Sequence, residues 1–273
     1  MDFGGRASSV LTQIRTVAET GSTNADLLLL ARGGAAEGEW LRAERQTAGR
    51  GRQGRAWDSP VGNFYGSTLV RPRPSDPPAA TLGFVAAVAL AEVVRMLLER
   101  SPSRFRSPVV SSSVTSSGKG GAQRRTGEGE LALKWPNDLL IDGAKLSGIL
   151  LERHDDAVVV GIGVNLQHHP DLPDRPTTSL SAHGIELAPE PFAEMLAESF
   201  PRWRTRWRGE GFAPVRARWL QLAHPFGSAL TARLPDGRVL EGLFDGLDGD
   251  GALILRLAAG ERRVIHAADV FVV

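Results

Sequence analysis

The chain has 273 residues, with 32 Lys plus Arg against 31 Asp plus Glu, no cysteine and 42% hydrophobic residues. At about 150 residues per domain this length fits one large domain, or a large one with a small companion, and the apolar content can fill a real core. The missing cysteines exclude disulfides, thiolate metal sites and cysteine nucleophiles, and a net charge of +1 gives no global attraction to DNA or membrane, although it can hide a local patch.

The opening residues, Met1 to Arg6, lack a basic stretch followed by an apolar run, so no secretory signal is visible. No window reaches the ~18 consecutive apolar residues of a spanning helix. The most apolar, Leu82 to Leu98, carries Glu92 and Arg95. A cytoplasmic protein is the expectation.

In chain order, Ser22 or Thr23 can cap a short helix through Ala25 and Leu27 to Leu30, which Gly33-Gly34 stops. Glu39 to Arg45 and Asn63 to Val70 read as strands, separated by a glycine- and arginine-rich loop from Gly49 to Gly62. Pro78 opens a long helix with Leu82, Val85, Ala89, Val93, Met96 and Leu97 at helical spacing. Residues 101–130, rich in serine and glycine, offer almost nothing to bury and read as a flexible insertion. Four apolar runs follow, Leu131 to Trp135, Leu139 to Ile141, Leu146 to Glu152 and Ala157 to Val164. Asp142-Gly143 and Asp155-Asp156 predict that they meander antiparallel. Helical spacing returns at Phe192 to Trp203 and Pro214 to Leu222. Beyond His224-Pro225, short strands at Ser228 to Leu234, Val239 to Leu247, Ala252 to Leu257 and Glu261 to His266 predict a small β-barrel.

The densest chemistry lies in Gln46-Thr-Ala-Gly-Arg-Gly-Arg-Gln-Gly-Arg-Ala-Trp57. Gly49, Gly51 and Gly54 satisfy G-x-G-x-x-G, but Pro60 and Gly62 follow where a dinucleotide fold would begin a helix, so that reading fails. Gly118-Lys119 fails as a P-loop because Gly120 follows it. Free backbone N–H groups and the guanidinium groups of Arg45, Arg50, Arg52 and Arg55 could wrap a polyanion. On these residues alone, a solvated loop or an RNA-contacting segment stays open.

A second cluster, Lys134-Trp-Pro-Asn-Asp138 with Lys145-Leu-Ser-Gly148, sets charges among apolar strand residues, where they need partners or a ligand. Lys145 should project from its strand, and Gly148 would leave the sheet surface open; singly they also fit an edge lysine and a hairpin glycine. Gly161-Ile-Gly-Val-Asn165 ends a strand with two glycines and an amide.

With Gly21-Ser-Thr-Asn24, Ser59-Pro-Val-Gly-Asn63 and Lys145-Leu-Ser-Gly-Ile-Leu150, these segments form six ordered motifs over residues 21–165. Together they resemble the biotin protein ligases. The resemblance implies an α+β fold with a mixed, largely antiparallel sheet like that of class II aminoacyl-tRNA synthetases. It also implies a catalytic domain over 1–223 and an SH3-like barrel over 224–273. The implied activity joins biotin and Mg-ATP into biotinyl-5′-adenylate, then transfers biotin to a lysine of a biotin carboxyl carrier protein domain of acetyl-CoA carboxylase or a relative. ATP, Mg2+ and biotin are thus the implied ligands, and no protein-held metal site is expected.

Position by position, the resemblance implies that Ser22, Thr23, Asn24 and Gln46 bond the biotin rings. Gly49, Arg50, Gly51 and Arg52 would cover the carboxylate and adenylate phosphate, and Lys145, beside Gly148, the reacting groups. Trp57 and Asn165 would serve the nucleotide, and Asn137 and Asp138 lie where the family contacts ligand and acceptor. Apart from the resemblance, Asp138 is the one carboxylate inside the Lys134 to Asp138 motif, and on that ground it is expected to act as base toward the acceptor lysine. The loop from Ala48 to Trp57 is expected to be mobile when empty and to close over the adenylate. About twenty residues precede Gly21, so the chain resembles the monofunctional class and DNA binding is not expected, while monomer and homodimer both stay open.

Lipoate and octanoyl transferases share the implied fold, but lipoate ligases show Arg-Arg, Gly-Gly-Gly and His-Asp arrangements not found here, and octanoyl transferases need a cysteine. An RNA-binding module lacks support from aromatic residues between Arg50 and Arg55. His168, His169, Asp171 and Asp174 read as a polar loop, and Trp203, Trp207 and Trp219 as packing residues.

Overall fold

Apolar residues alternating along short strands, interrupted by turn dipeptides, build the central sheet. The computed structural model describes residues 13–100, 130–173 and 175–272, so Asp174 and residues 101–129 of the predicted insertion lie outside it. Seven strands make up this sheet: β1 (Ile14–Thr20), β2 (Trp40–Gln46), β3 (Phe64–Val70), β4 (Leu131–Lys134), β5 (Asp138–Ile141), β6 (Ala144–His154) and β7 (Ala157–Val164). They pair in the order β1-β2-β3-β7-β6-β5-β4, with β1 and β2 parallel and the rest antiparallel. The predicted turns are present, with Asp142 at φ 51° and Gly143 at φ 77° joining β5 to β6. Parallel β1 and β2 need a crossover, which α1 (Thr23–Arg32) supplies.

Strand β7 shows how the sheet divides its faces. Val158, Val160, Ile162 and Val164 enter the main core beneath α2 (Leu82–Arg100), α3 (Pro189–Glu210) and α4 (Ala213–Leu222). On the other face, Ala157 and Val159 pack with Leu27 and Ala31 of α1, and with Leu41 and Leu69. Further along that face the residues become Gly161 and Gly163, and the surface opens.

The α2 segment is apolar enough to cross a membrane by composition, with mean hydropathy 1.9, yet 72% of its most apolar window is buried inside the protein. Its Glu92 accepts hydrogen bonds from Trp203 Nε1 (2.9 Å) and Arg218 Nε (3.2 Å), so one acid on a core helix is satisfied by two neighbours. Trp207 is fully buried and donates to Thr81 Oγ1 at 2.7 Å. Trp203 and Trp219 are buried as well.

A second sheet contains β8 (Ala229–Arg233), β9 (Val239–Leu247), β10 (Leu253–Arg256), β11 (Arg262–Ile265) and β12 (Asp269–Val272), in the order β11-β10-β9-β8-β12. Its Leu230, Phe244, Leu253 and Val270 belong to the same apolar cluster as Trp219 of α4. Trp135 Nε1 donates to the Gly251 carbonyl (2.9 Å) and Lys134 Nζ to that of Val270 (3.0 Å), which fastens the small sheet to the turn between β4 and β5.

Two sequence expectations need correction. Ser22 occupies the cap position of α1, but its side chain makes no capping hydrogen bond. Elements β1 and β12 were not anticipated. Along β1 the half-buried residues are Ile14, Val17 and Thr20, a spacing of three that carries no period-two signal.

Candidate functional site

A cavity of 670 Å³ opens on the glycine-bearing face of the large sheet. Its floor is Gly148, Gly161 and Gly163. An added Cβ at Gly163 would lie 2.7 Å from Trp57 Cε2, one at Gly148 3.0 Å from Trp57 Cζ3, and one at Gly161 2.2 Å from Asn24 Oδ1. The three glycines therefore make room for one aromatic ring and one amide. The residues to which the resemblance gives a role all line this cavity: Ser22, Thr23, Asn24, Gln46, Gly49, Arg50, Gly51, Arg52, Trp57, Asn137, Asp138, Lys145, Gly148 and Asn165.

One wall is a polar network at the start of α1. Gln46 Oε1 accepts from the Thr23 backbone N–H at 2.9 Å, and Gln46 Nε2 donates to Ser59 Oγ at 3.2 Å. Thr23 Oγ1 lies 2.7 Å from Ser67 Oγ, which donates to Asn24 Oδ1 (2.6 Å), while Asn24 Nδ2 donates to Glu152 Oε2 (2.7 Å). Ser67 and Glu152 stand behind the wall, outside the cavity lining. Ser67 belongs to β3 and Glu152 to β6.

The opposite wall is cationic. Lys145 and Gly148 both line the cavity although three residues apart, which a regular strand forbids. The register explains it: Leu139 stands opposite Ser147 and Leu140 opposite Lys145, so β6 carries an extra residue, Leu146, which turns into the core. Lys145 Nζ lies 2.6 Å from Asp138 Oδ1 and 5.4 Å from the centre of the Trp57 ring. Lys134 Nζ holds Asp138 Oδ2 at 3.0 Å. Burial works to raise the Asp138 pKa, but Lys145 and Lys134 outweigh it and hold the carboxyl below its ordinary range. Asp138 is therefore held as a carboxylate while both lysines face it.

The arginine-glycine loop forms a small hairpin over this wall. Arg50 bridges to Ala56, the Gly51 N–H donates to the Arg55 carbonyl (2.7 Å), and Gln53 (φ 58°) and Gly54 (φ 71°) turn its tip. Arg55 pairs with Asp269 of β12, so the tip is tied to the second sheet. Burial lowers the Arg52 pKa from its ordinary value, opposed by Asp269 and Asp138. Six basic side chains and three carboxylates line the cavity, a local positive excess within a nearly neutral chain.

Arg45 does not take part. It is exposed, pairs with Glu19 at 3.1 Å across the β1–β2 register, and lies outside the lining. Arg42 points to the other face, where it is buried and meets Glu190 of α3 at 2.6 Å. Of the arginines in this stretch, Arg50, Arg52 and Arg55 reach the cavity.

The remaining wall follows β7. Asn63 Oδ1 accepts from the backbone N–H groups of Leu166 (2.9 Å), Gln167 (2.9 Å) and His168 (3.0 Å), folding the chain back over the site. Asn165 Nδ2 donates to the Thr178 carbonyl at 3.0 Å, and Asn137 Nδ2 to the Ile149 carbonyl at 2.7 Å. In this arrangement both amides position backbone. His169 Nδ1 lies 3.2 Å from Ser179 Oγ, a contact within the loop. Sequence reasoning also missed the lining residues Tyr65, Arg175 and Asp269 to Phe271. Burial pushes the Tyr65 phenol up, and its hydroxyl donates to the Pro60 carbonyl (2.8 Å).

Comparison with known proteins identifies the family. Residues 22–167 match the biotin/lipoate A/B protein ligase family, and residues 226–273 match the biotin protein ligase C terminal domain. A Biotin--[acetyl-CoA-carboxylase] ligase from Paracoccus denitrificans is 40% identical over 266 residues, covering 93% of this chain and 98% of that protein. One of the same name from Mycobacterium tuberculosis is 34% identical over 273 residues, covering 97% and 90%. The solved biotin protein ligase from Aquifex aeolicus in complex with biotin and ATP superposes with a TM-score of 0.75 over 96% of this chain and 99% of that one, a likeness of fold at 21% identity. Matched along both of its sheets, the chain belongs to the biotin/lipoate A/B protein ligase family, as one of its biotin protein ligases.

Proposed function

We propose that this enzyme activates biotin with ATP and passes it to a lysine of a biotin carboxyl carrier protein domain. The observation that carries this reading is the meeting of two unlike walls in one cavity: the hydrogen-bonding cradle of Thr23, Asn24 and Gln46, and the cations Arg50, Arg52 and Lys145. A carboxylate brought to a triphosphate faces like-charge repulsion, which fixed cations offset in a partly desolvated site. A biotin carboxylate oxygen attacks the α-phosphorus, and pyrophosphate leaves. The acceptor amine then attacks the carbonyl of the mixed anhydride, and AMP leaves.

Mg2+ enters with the triphosphate as part of the substrate, bound chiefly by phosphate oxygens and water. The nucleotide lies toward Trp57 and Asn165, with the loop from Ala48 to Trp57 closing over it. During activation Lys145 shifts from Asp138 to the phosphate, leaving Asp138 Oδ1 free to take the acceptor lysine's proton. Replacing Asp138 with Asn should then slow transfer from preformed adenylate by ~100-fold or more. Transfer at the wild-type rate would remove Asp138 from that role. Pyrophosphate release measured with biotin, lipoate or octanoate tests the reading itself: release that depends on biotin alone is expected, and release driven by lipoate or octanoate would redirect it.

A further inference from the structure

We infer that Glu152 and Ser67, neither of which lines the cavity, are positioning residues that fix the hydrogen-bonding sense of Thr23 and so select a ligand that presents an N–H group there. The inference rests on the proposed use of biotin, whose cyclic urea carries N–H groups, and adds how the protein recognises them.

The chain of contacts favours one arrangement of protons, because the Thr23 hydroxyl has its short contact to Ser67 Oγ (2.7 Å) and a longer one to Gln46 Oε1 (3.2 Å), both within the protein. A carboxylate only accepts, so Asn24 must turn its Nδ2 toward Glu152, at 2.7 Å. That places Asn24 Oδ1, also an acceptor, against Ser67 Oγ at 2.6 Å, and the single Ser67 proton goes there. Ser67 must then accept from Thr23 Oγ1, 2.7 Å away, which uses the single Thr23 proton. Thr23 thus keeps only lone pairs for a ligand. Ser67 is fully buried and Asn24 and Thr23 are nearly so, so water cannot readily reverse the order. Gly161 leaves no room for Asn24 to back away, since its amide fills the space of the missing Cβ.

The consequence is discrimination by polarity. A donor N–H facing Thr23 forms a hydrogen bond, whereas an oxygen in the same place meets a lone pair and leaves both groups desolvated and unpaired. Leucine at position 152 removes the acceptor that orients Asn24, and alanine at 67 leaves the Thr23 proton only the longer contact to Gln46 Oε1, 3.2 Å away, from which it can turn toward the cavity. Glutamine at 152 keeps an acceptor oxygen and restores the order.

The test measures adenylate formation by pyrophosphate release for the wild type, S67A, E152L and E152Q, with melting temperatures as the check on folding. Biotin is compared with its cyclic carbamate analogues, in which one or the other ring N–H is replaced by oxygen. In the wild type, one of the two carbamates should be used at least about tenfold less efficiently than biotin. S67A and E152L should raise the KM for biotin about five- to tenfold, leave the KM for ATP within about twofold, and shrink the penalty on that carbamate to about threefold or less. E152Q should recover most of what E152L loses. If folded S67A and E152L keep the wild-type KM for biotin and the wild-type carbamate penalty, the inference is overturned and the proposed function stands. A wild type that releases no pyrophosphate with biotin overturns both.

Discussion

The two faces of the large sheet use the same strands for opposite ends. Beneath α2, α3 and α4 the face is filled: Phe64 packs on Phe192 at 5.2 Å between ring centres and Trp40 on Phe200 at 5.9 Å. The other face is packed with apolar side chains under α1, and beyond it presents glycines against which Trp57 and Asn24 lie. One side stores stability and the other gives up packing to hold a ligand, which is why the substitutions that harm each should separate cleanly.

Four predictions bear on that separation, the largest first. Lys145→Ala, on the open face, should slow adenylate formation by ~100- to 1,000-fold, because it removes a cation from the reacting groups, and should lower the melting temperature only as far as loss of its ion pair with Asp138 requires. A loss of melting temperature beyond that would break the contrast. On the filled face, Phe192→Ala should cost ~3–5 kcal/mol in denaturant unfolding, yet leave the KM for biotin near wild type below the melting transition. Gly163→Ala should displace Trp57, whose ring lies 2.7 Å from the new Cβ, and raise the KM for ATP by about tenfold, as expected for ~1.4 kcal/mol of lost binding. Unaltered ATP kinetics would show that the indole does not serve the nucleotide.

The smallest concerns the seam between the sheets. His224 is buried against Phe244, with ring centres 4.6 Å apart, and neither ring nitrogen has a hydrogen-bond partner among the described residues. Burial, and then nearby Lys134, lower its pKa from 6.5 to about 4. The unfolded chain therefore takes up a proton that the folded protein refuses. Stability from this group is full above pH 6.5 and declines as pH falls toward 4, by at most about 3 kcal/mol. His224→Gln should flatten the melting temperature over that window, and an unchanged slope would assign the acid sensitivity elsewhere.

Much of this arrangement was legible in the sequence because it is local. Asp142-Gly143 announces the β5–β6 hairpin, and the glycines of β7 interrupt an apolar run where the face opens. What escaped was relational. Ser67 and Glu152 matter through side chains that arrive from α1, and Asp269 through an arginine more than two hundred residues earlier. Leu146 looks like an ordinary strand residue, yet as the extra residue of a bulge it lets Lys145 and Gly148 share a wall. Arg45 shows the opposite error. Its charge is close in sequence to Arg50 and Arg52, but the strand turns it toward Glu19, so density of charge gave no direction.

The central claim is that the open face activates biotin for transfer to protein. Mass spectrometry of a biotin carboxyl carrier protein domain incubated with the enzyme, biotin and Mg-ATP tests it most directly. The account predicts one biotin adduct on one lysine, dependent on ATP and abolished or sharply reduced in Lys145→Ala. No adduct with the wild type, or an undiminished one in the variant, would contradict it.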